Sequence, residues 1–183
     1  MTVLETERLI IRYFQAGEWQ ALHRVIEKYQ ASNFAQYDQQ WPTSIEEIKK
    51  VTEWFASGDS FLAVCLKEKN QLIGFIGLNP EDGESQRVLN LGYVFDCDYH
   101  GRGYATEACR VVLDRAFTQL QAISVVTGTA SINRPSCQLL ERLGFQKIGE
   151  EMTSFKKAED GKPIKFLAFR FALSRDEWDK FDN

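Results

Sequence analysis

The stretch YVFDCDYHGRGYATEA, Tyr93–Ala108, sets the fold class of this chain. It begins at the end of an apolar run, Arg87–Phe95, whose β-branched and aromatic residues predict a strand. A loop carrying Gly101 and Gly103 follows. Beyond it Ala105, Ala108, Cys109, Val112, Leu113, Ala116, Phe117 and Leu120 recur at helical spacing, with Glu107, Arg110, Asp114 and Thr118 on the opposite face. That pattern predicts a four-turn amphipathic helix. The start of such a helix presents N–H groups without intrahelical partners and the positive end of the dipole, so it is suited to an anion. Small residues at Gly101, Gly103 and Ala105 let an anion approach the backbone, and Arg102 and the Thr106 hydroxyl supply charge and a donor.

Working back from the loop, Ser60–Leu66 and Leu72–Leu78 flank the turn residues KEKN and read as an antiparallel hairpin. With Arg87–Phe95 they form a three-stranded meander. Ser44 and Glu47 make a capping box that opens a helix running to about Ser57. Before it lies an irregular segment, Ala31–Thr43, with Phe34, Tyr37 and Trp41 among polar residues. Glu18–Tyr29 places Trp19, Leu22, Val25, Ile26 and Tyr29 at helical spacing, and Leu9–Phe14 reads as a strand.

Working forward, Ile123–Ala130 reads as a strand and Arg134–Leu143 as a short helix. Gly144 is expected to stop that helix in a left-handed cap, folding Phe145 back on Leu140. Lys147–Lys156 and Pro163–Leu173 read as two more strands joined at Glu159-Asp160-Gly161, and Ser174 with Glu177 caps a short C-terminal helix. The order is β-α-α-β-β-β-α-β-α-β-β, an α/β class with a mixed central sheet of about seven strands.

The 183 residues, without repeats or a Pro/Gly/Ser linker, predict a single domain, 1–183. At 44% apolar and 26% charged the chain is not disordered, and no apolar run reaches the length of a membrane span. Acidic residues near the start are wrong for a secretory signal, so a cytoplasmic location is expected. A net charge of -4 argues against a nucleic-acid partner. Cys65, Cys97, Cys109 and Cys137 show no CxxC pairing, and His23 and His100 do not supply zinc-ligand spacing, so no metal is expected.

Among phosphate sites, a P-loop lacks its GK[ST] here. A Rossmann fingerprint lacks its third glycine, at Thr106, and its distal acid. The remaining reading is a helix N-terminus that holds the pyrophosphate of coenzyme A. HGRGYA, His100–Ala105, resembles the coenzyme A loop of the GNAT acetyltransferases, Q/R-x-x-G-x-G/A, with His100 at the Gln/Arg position and Gly103 and Ala105 at the small ones. TERLIIR near the start, LGY before the loop, GRGYATEA within it and NRPSCQLLERLGF after it resemble the branch that includes ribosomal-protein N-terminal acetyltransferases. The resemblance covers Thr6 to about Leu173.

It implies the GNAT fold, acetyl-CoA as co-substrate, no metal, and transfer of an acetyl group to an amine in a ternary complex. Backbone groups of Tyr93, Val94 and Phe95 would pair with the pantetheine arm and polarise the acetyl carbonyl, with Tyr93 in the catalytic set. The pyrophosphate would meet the N–H groups of Arg102, Gly103, Tyr104, Ala105 and Thr106, in a loop that includes His100 and Gly101. Asn133 would touch the arm, and Ser136 would protonate the departing thiolate. Asn133 is equally a good N-cap and Ser136 an ordinary first-turn residue. Cys137 reads as a packing residue, lacking a paired histidine.

The chain departs from the family at Asn90, where many relatives carry a glutamate. Glu150 and Glu151 are the base candidates, although a solvated strand end explains them equally well. Phe34, Tyr37 and Trp41, with the loop Glu81–Gln86, are candidates to line the acceptor pocket or to fill a satellite core. The expected activity is N-acetylation of a primary amine, on a protein N-terminus or a small molecule. The alternatives are a coenzyme A sensor with little turnover and an enzyme using a longer acyl-CoA. A homodimer is common in such proteins.

Overall fold

The computed structural model describes residues 2–181; Met1, Asp182 and Asn183, which the expected 1–183 domain includes, lie outside the described residues. In chain order the elements are β1 (Thr2–Glu5), β2 (Leu9–Tyr13), α1 (Trp19–Gln30), α2 (Ile45–Ser57), β3 (Phe61–Leu66), β4 (Gln71–Pro80) and β5 (Val88–Phe95). They continue with α3 (Tyr104–Thr118), β6 (Ser124–Ala130), α4 (Arg134–Arg142), β7 (Gln146–Thr153), β8 (Phe166–Ser174) and α5 (Arg175–Phe181). The eight strands form one mixed sheet in the order β1-β2-β3-β4-β5-β6-β8-β7. β5 and β6 are parallel, while β1–β2–β3–β4 and β6–β8–β7 are antiparallel.

The sheet has eight strands where about seven were expected. β1 adds one at the sheet edge, and its four residues are too few to show a period. Its register also shifts between Thr2 and Leu4, so strict alternation is broken there. The two C-terminal strands are trimmed at their joined ends. Their ladder closes at Thr153–Phe166, and the residues between keep a single bridge, Lys157–Pro163. Proline has no N–H to extend the ladder. Residues Ala35–Tyr37 and Cys97–Tyr99 make single 3-10 turns inside segments read as irregular.

The chain forms two compact units. The first holds the described residues through Ser32, with Trp41–Asn79 and Leu91–Val112; the second holds Asn33–Gln40, Pro80–Asn90 and those from Leu113 on. Aromatic packing dominates the first core. Phe14 lies 5.1 Å from Phe55, and Phe55 lies 5.3 Å from Phe75 and stacks on Phe61 at 3.9 Å between ring centroids. Burying a side chain of this kind contributes about 2–3 kcal/mol. In the second unit Phe117 at the end of α3 stacks on Trp178 of α5 at 5.8 Å, which fixes the C-terminal helix. α4 is capped at both ends as expected. Asn133 Oδ1 accepts from Ser136 N at 3.3 Å, Gly144 takes φ +89°, and Phe145 N donates to Leu140 O at 3.1 Å. No helix among the described residues is long and apolar enough to cross a membrane.

Candidate active site

The loop between β5 and α3 is built from side chains that fold back on its own backbone. The buried Asp96 carboxylate accepts from Asp98 N at 3.0 Å and shapes the 3-10 turn. His100 donates from Nε2 to the Phe95 carbonyl at 3.1 Å, so its ring serves the loop's shape. Gly101 and Gly103 then take φ +72° and +80°, a region that costs an L-residue about 1–2 kcal/mol. A Cβ added at Gly101 meets nothing within 4 Å, whereas one at Gly103 meets Arg8 Nη2 at 3.4 Å. The loop therefore has an open side at Gly101 and a braced side at Gly103, and it delivers the first turn of α3, Tyr104-Ala105-Thr106, as a half-exposed helix start. Such a start fits a phosphate group.

The brace comes from the corner between β1 and β2. Arg8 donates Nε to Glu107 Oε2 at 2.7 Å and Nη1 to the Arg102 carbonyl at 3.0 Å. Its guanidinium sits 4.5 Å from the centroid of the Tyr104 ring. Arg8 N and Thr6 Oγ1 both donate to Glu107 Oε1, at 3.1 and 2.5 Å. Burial pushes the Glu107 carboxyl up, but the hydrogen bonds from Thr6 and Arg8 outweigh it and hold the group below its ordinary value. Sequence reading placed Glu107 on the helix face opposite the apolar one and gave Arg8 no role. The signal was Arg8's place in TERLIIR, a segment already singled out.

β5 enters the loop with Tyr93 half-buried and Val94 and Phe95 buried. Close approach of β4 fixes its position. A Cβ added at Gly74 would lie 2.5 Å from Phe95 Cδ1 and 2.6 Å from the Val94 carbonyl oxygen. On the far side of the loop Lys28 pairs with Asp98 at 2.7 Å. Asp96, Cys97 and Asp98 bring one donor atom each within 4.8 Å, a grouping in which Asp98 is already engaged by Lys28.

The second unit holds the other candidates. Asn133 caps α4, and Ser136 sits buried in the first turn of that helix. Burial pushes the neighbouring Cys137 thiol up, which keeps it protonated and unsuited to nucleophilic attack. Glu150 and Glu151 lie on β7, the outermost strand, both exposed, with Glu150 paired to Lys147 at 2.5 Å. The irregular aromatics separate. Tyr37 packs edge-on to Phe166 at 5.5 Å in the second unit, and Phe34 before it is half-buried. Trp41 belongs to the first core, 5.2 Å from Phe75 and 6.4 Å from Phe55. Trp41 is half-buried against these aromatics, and its indole Nε1 is buried without an acceptor.

One arrangement was missed from sequence. Glu81, beyond the apolar part of β4, accepts from Asn90 Nδ2 at 2.6 Å and from Arg170 Nη2 at 2.6 Å. Asn90 is also the last β5 residue of the ladder with β6, opposite Val126. A separation of 89 residues between Glu81 and Arg170 leaves no local pattern to find.

Known proteins carry the same frame. Over 176 residues the chain is 26% identical to the uncharacterized N-acetyltransferase YnaD of Bacillus subtilis, covering 96% of this chain and 98% of that one. Ribosomal-protein-S5-alanine acetyltransferase from Vibrio fischeri superposes with a TM-score of 0.79 at 17% identity, covering 96% of this chain and 97% of that one. Spermidine N-acetyltransferase from Vibrio cholerae, solved in complex with CoA and spermine, superposes with a TM-score of 0.76 at 18% identity, covering 94% and 99%. At such identities the likeness of the solved structures is one of fold. Residues 8–146 match the acetyltransferase (GNAT) domain, a family whose members use acetyl-CoA. The loop, the helix start it delivers and that match over most of the chain have one conclusion: the protein belongs to the GNAT family and is an N-acetyltransferase.

Proposed function

We propose that residues 1–183 act as one cytoplasmic domain that transfers the acetyl group of acetyl-CoA directly to a primary amine in a ternary complex. The observation that carries this reading is the braced loop, in which two glycines at positive φ deliver the start of α3 to an open side. Acetyl-CoA supplies an activated thioester whose carbonyl carbon accepts the amine lone pair and whose C–S bond breaks. The first-turn N–H groups of α3, with those of Arg102 and Gly103, bind the pyrophosphate. Backbone groups of Tyr93, Val94 and Phe95 align the arm and polarise the carbonyl, which is stabilisation of developing oxyanion charge. Asn133 contacts the arm with the amide it does not spend on the Ser136 N–H. Ser136 gives its proton to the departing sulfur, directly or through water, and regains one from solvent, to which the attacking nitrogen releases the protons it loses in becoming an amide. The four free cysteines fit a reducing compartment.

Acceptors named for proteins of this fold include an alanine of ribosomal protein S5 and spermidine. Both present an aliphatic ammonium, and that is the acceptor class proposed here. Calorimetric titration with acetyl-CoA tests the co-substrate: micromolar binding without response to NAD or ATP supports it, and no binding overturns it. Ser136→Ala tests the proton donor. Turnover is expected to fall about a hundredfold, the low end for a general acid, with acetyl-CoA affinity retained. Unchanged turnover removes Ser136 from the mechanism.

A further inference from the structure

We infer that Glu81 is the carboxylate that receives the ammonium group of the acceptor amine, with Asn90 and Arg170 as the residues that position it. The inference deepens the N-acetyltransferase reading above and rests on it.

The second unit places Glu81 against one face of the sheet. Strand alternation puts Leu89, Val125, Thr127 and Phe171 on the opposite face, where all four are buried. On Glu81's side the ladder partners are Asn90 with Val126, then Gly128 with Arg170. Val126 is buried, but Gly128 and Arg170 are exposed, so this face is open at that pair where the other is closed throughout. The Arg170 guanidinium reaches Glu81 Oε1 at 2.6 Å, while Asn90 Nδ2 holds Oε2 at 2.6 Å. Each oxygen keeps a second lone pair for another donor.

The charges around it favour a cation. The segment from Pro80 to Asn90 carries Glu81, Asp82 and Glu84 against one arginine, Arg87. Arg170 is half-exposed at 50% while the Glu81 side chain is 15% exposed, so water screens the arginine more than the carboxylate it pairs with. A substrate ammonium that covers this face displaces that water and strengthens its own bond to Glu81. Arg170 then plays two opposed parts: it orients Glu81, and it competes with the incoming cation.

The opposed parts give opposite mutational signs, which a structural ion pair would not. The test uses the full chain and thiol release from acetyl-CoA, with two acceptor probes, spermidine and a short peptide bearing a free N-terminal alanine. Calorimetric affinity for acetyl-CoA is the control for folding. Glu81→Gln keeps the hydrogen bonds and removes the charge, and is expected to raise acceptor KM about tenfold, one charge-assisted bond, with a smaller change in kcat. Arg170→Gln is expected to lower acceptor KM about twofold or more, a lighter effect befitting a screened charge. A rise with one probe alone supports the assignment and names the acceptor's source. Acceptor KM within twofold of wild type in both variants overturns it, as does a wild type that acts on neither probe. If Glu81→Gln loses acetyl-CoA binding, the sign of the Arg170→Gln effect decides alone. A wild type that does not bind acetyl-CoA removes the parent reading first, an outcome distinct from all of these.

Discussion

The loop at 96–107 and the strand β7 both carry residues singled out from sequence, and they are held in opposite ways. The loop is tied by bonds from far along the chain: Arg8 and Thr6 reach Glu107, and Lys28 reaches Asp98. β7 is tied by its ladder to β8 and by the local pair Lys147–Glu150, and its residues are mostly exposed. Long-range bonds from rigid elements fix a backbone path before any ligand arrives, which is what an anion cradle requires. Local pairs on an edge strand stay solvated and leave the strand free of that demand. The difference teaches that residue type alone is a poor guide to chemistry here. Glu107, on the helix face opposite the apolar one, is more constrained than Glu150 or Glu151.

Gly103→Asp breaks the comparison most severely. It places an L-residue at φ +80°, against Arg8, and adds negative charge where an anion is to bind. Acetyl-CoA affinity measured by calorimetry is expected to fall about a hundredfold or more. Gly74→Ala attacks the same region from beneath, since its methyl would meet the Val94 carbonyl at 2.6 Å and the Phe95 ring at 2.5 Å. Backbone cannot yield as a side-chain tip can, so a loss of about 2–3 kcal/mol in urea unfolding is expected.

Glu107→Gln sharpens the comparison by removing only the charge of the brace, and acetyl-CoA affinity is expected to drop about fivefold. Its pH signature is specific. Because the folded carboxyl sits below the ordinary 4.5, its contribution to stability is complete above that value and disappears as pH falls through the lowered one. The Tm gap between wild type and variant is therefore expected to hold steady above about pH 5 and to close under stronger acid. A gap independent of pH rejects the charged brace. The smallest effect belongs to the paired change Glu150→Gln with Glu151→Gln, for which kcat is expected to stay within about twofold, as for exposed strand-end charges. A tenfold loss would instead support them as the bases.

Much of the frame was legible because hydrophobic period and local caps determine it. α3 spans Tyr104–Thr118 against an expected Ala105–Leu120, ending short because Leu120 is 42% exposed and no longer faces a core. β3, β4 and β5 fall on their apolar runs, and α4 stops at Gly144. What escaped was non-local or short. β1 is four residues long, and its bulge destroys alternation. The irregular segment 31–43 has no period, so nothing local sends Tyr37 to Phe166 and Trp41 to Phe75. In the candidate site the glycine loop was readable as a local motif. The brace on it and the pairing of Glu81 with Arg170 were not, since Thr6 stands 101 residues from Glu107 and Arg170 stands 89 from Glu81.

The brace also bears on when the molecule becomes competent. Thr6 and Arg8 precede Glu107 by 101 and 99 residues along the chain. Closing a loop of that length carries an entropic cost that only the rest of the fold repays. A nascent chain that has just completed α3 thus owns the glycines but not yet the shape they need. Acquisition of acetyl-CoA affinity then marks a late event in maturation, and a chain with Thr6 and Arg8 both replaced by alanine would fold around a slack cradle.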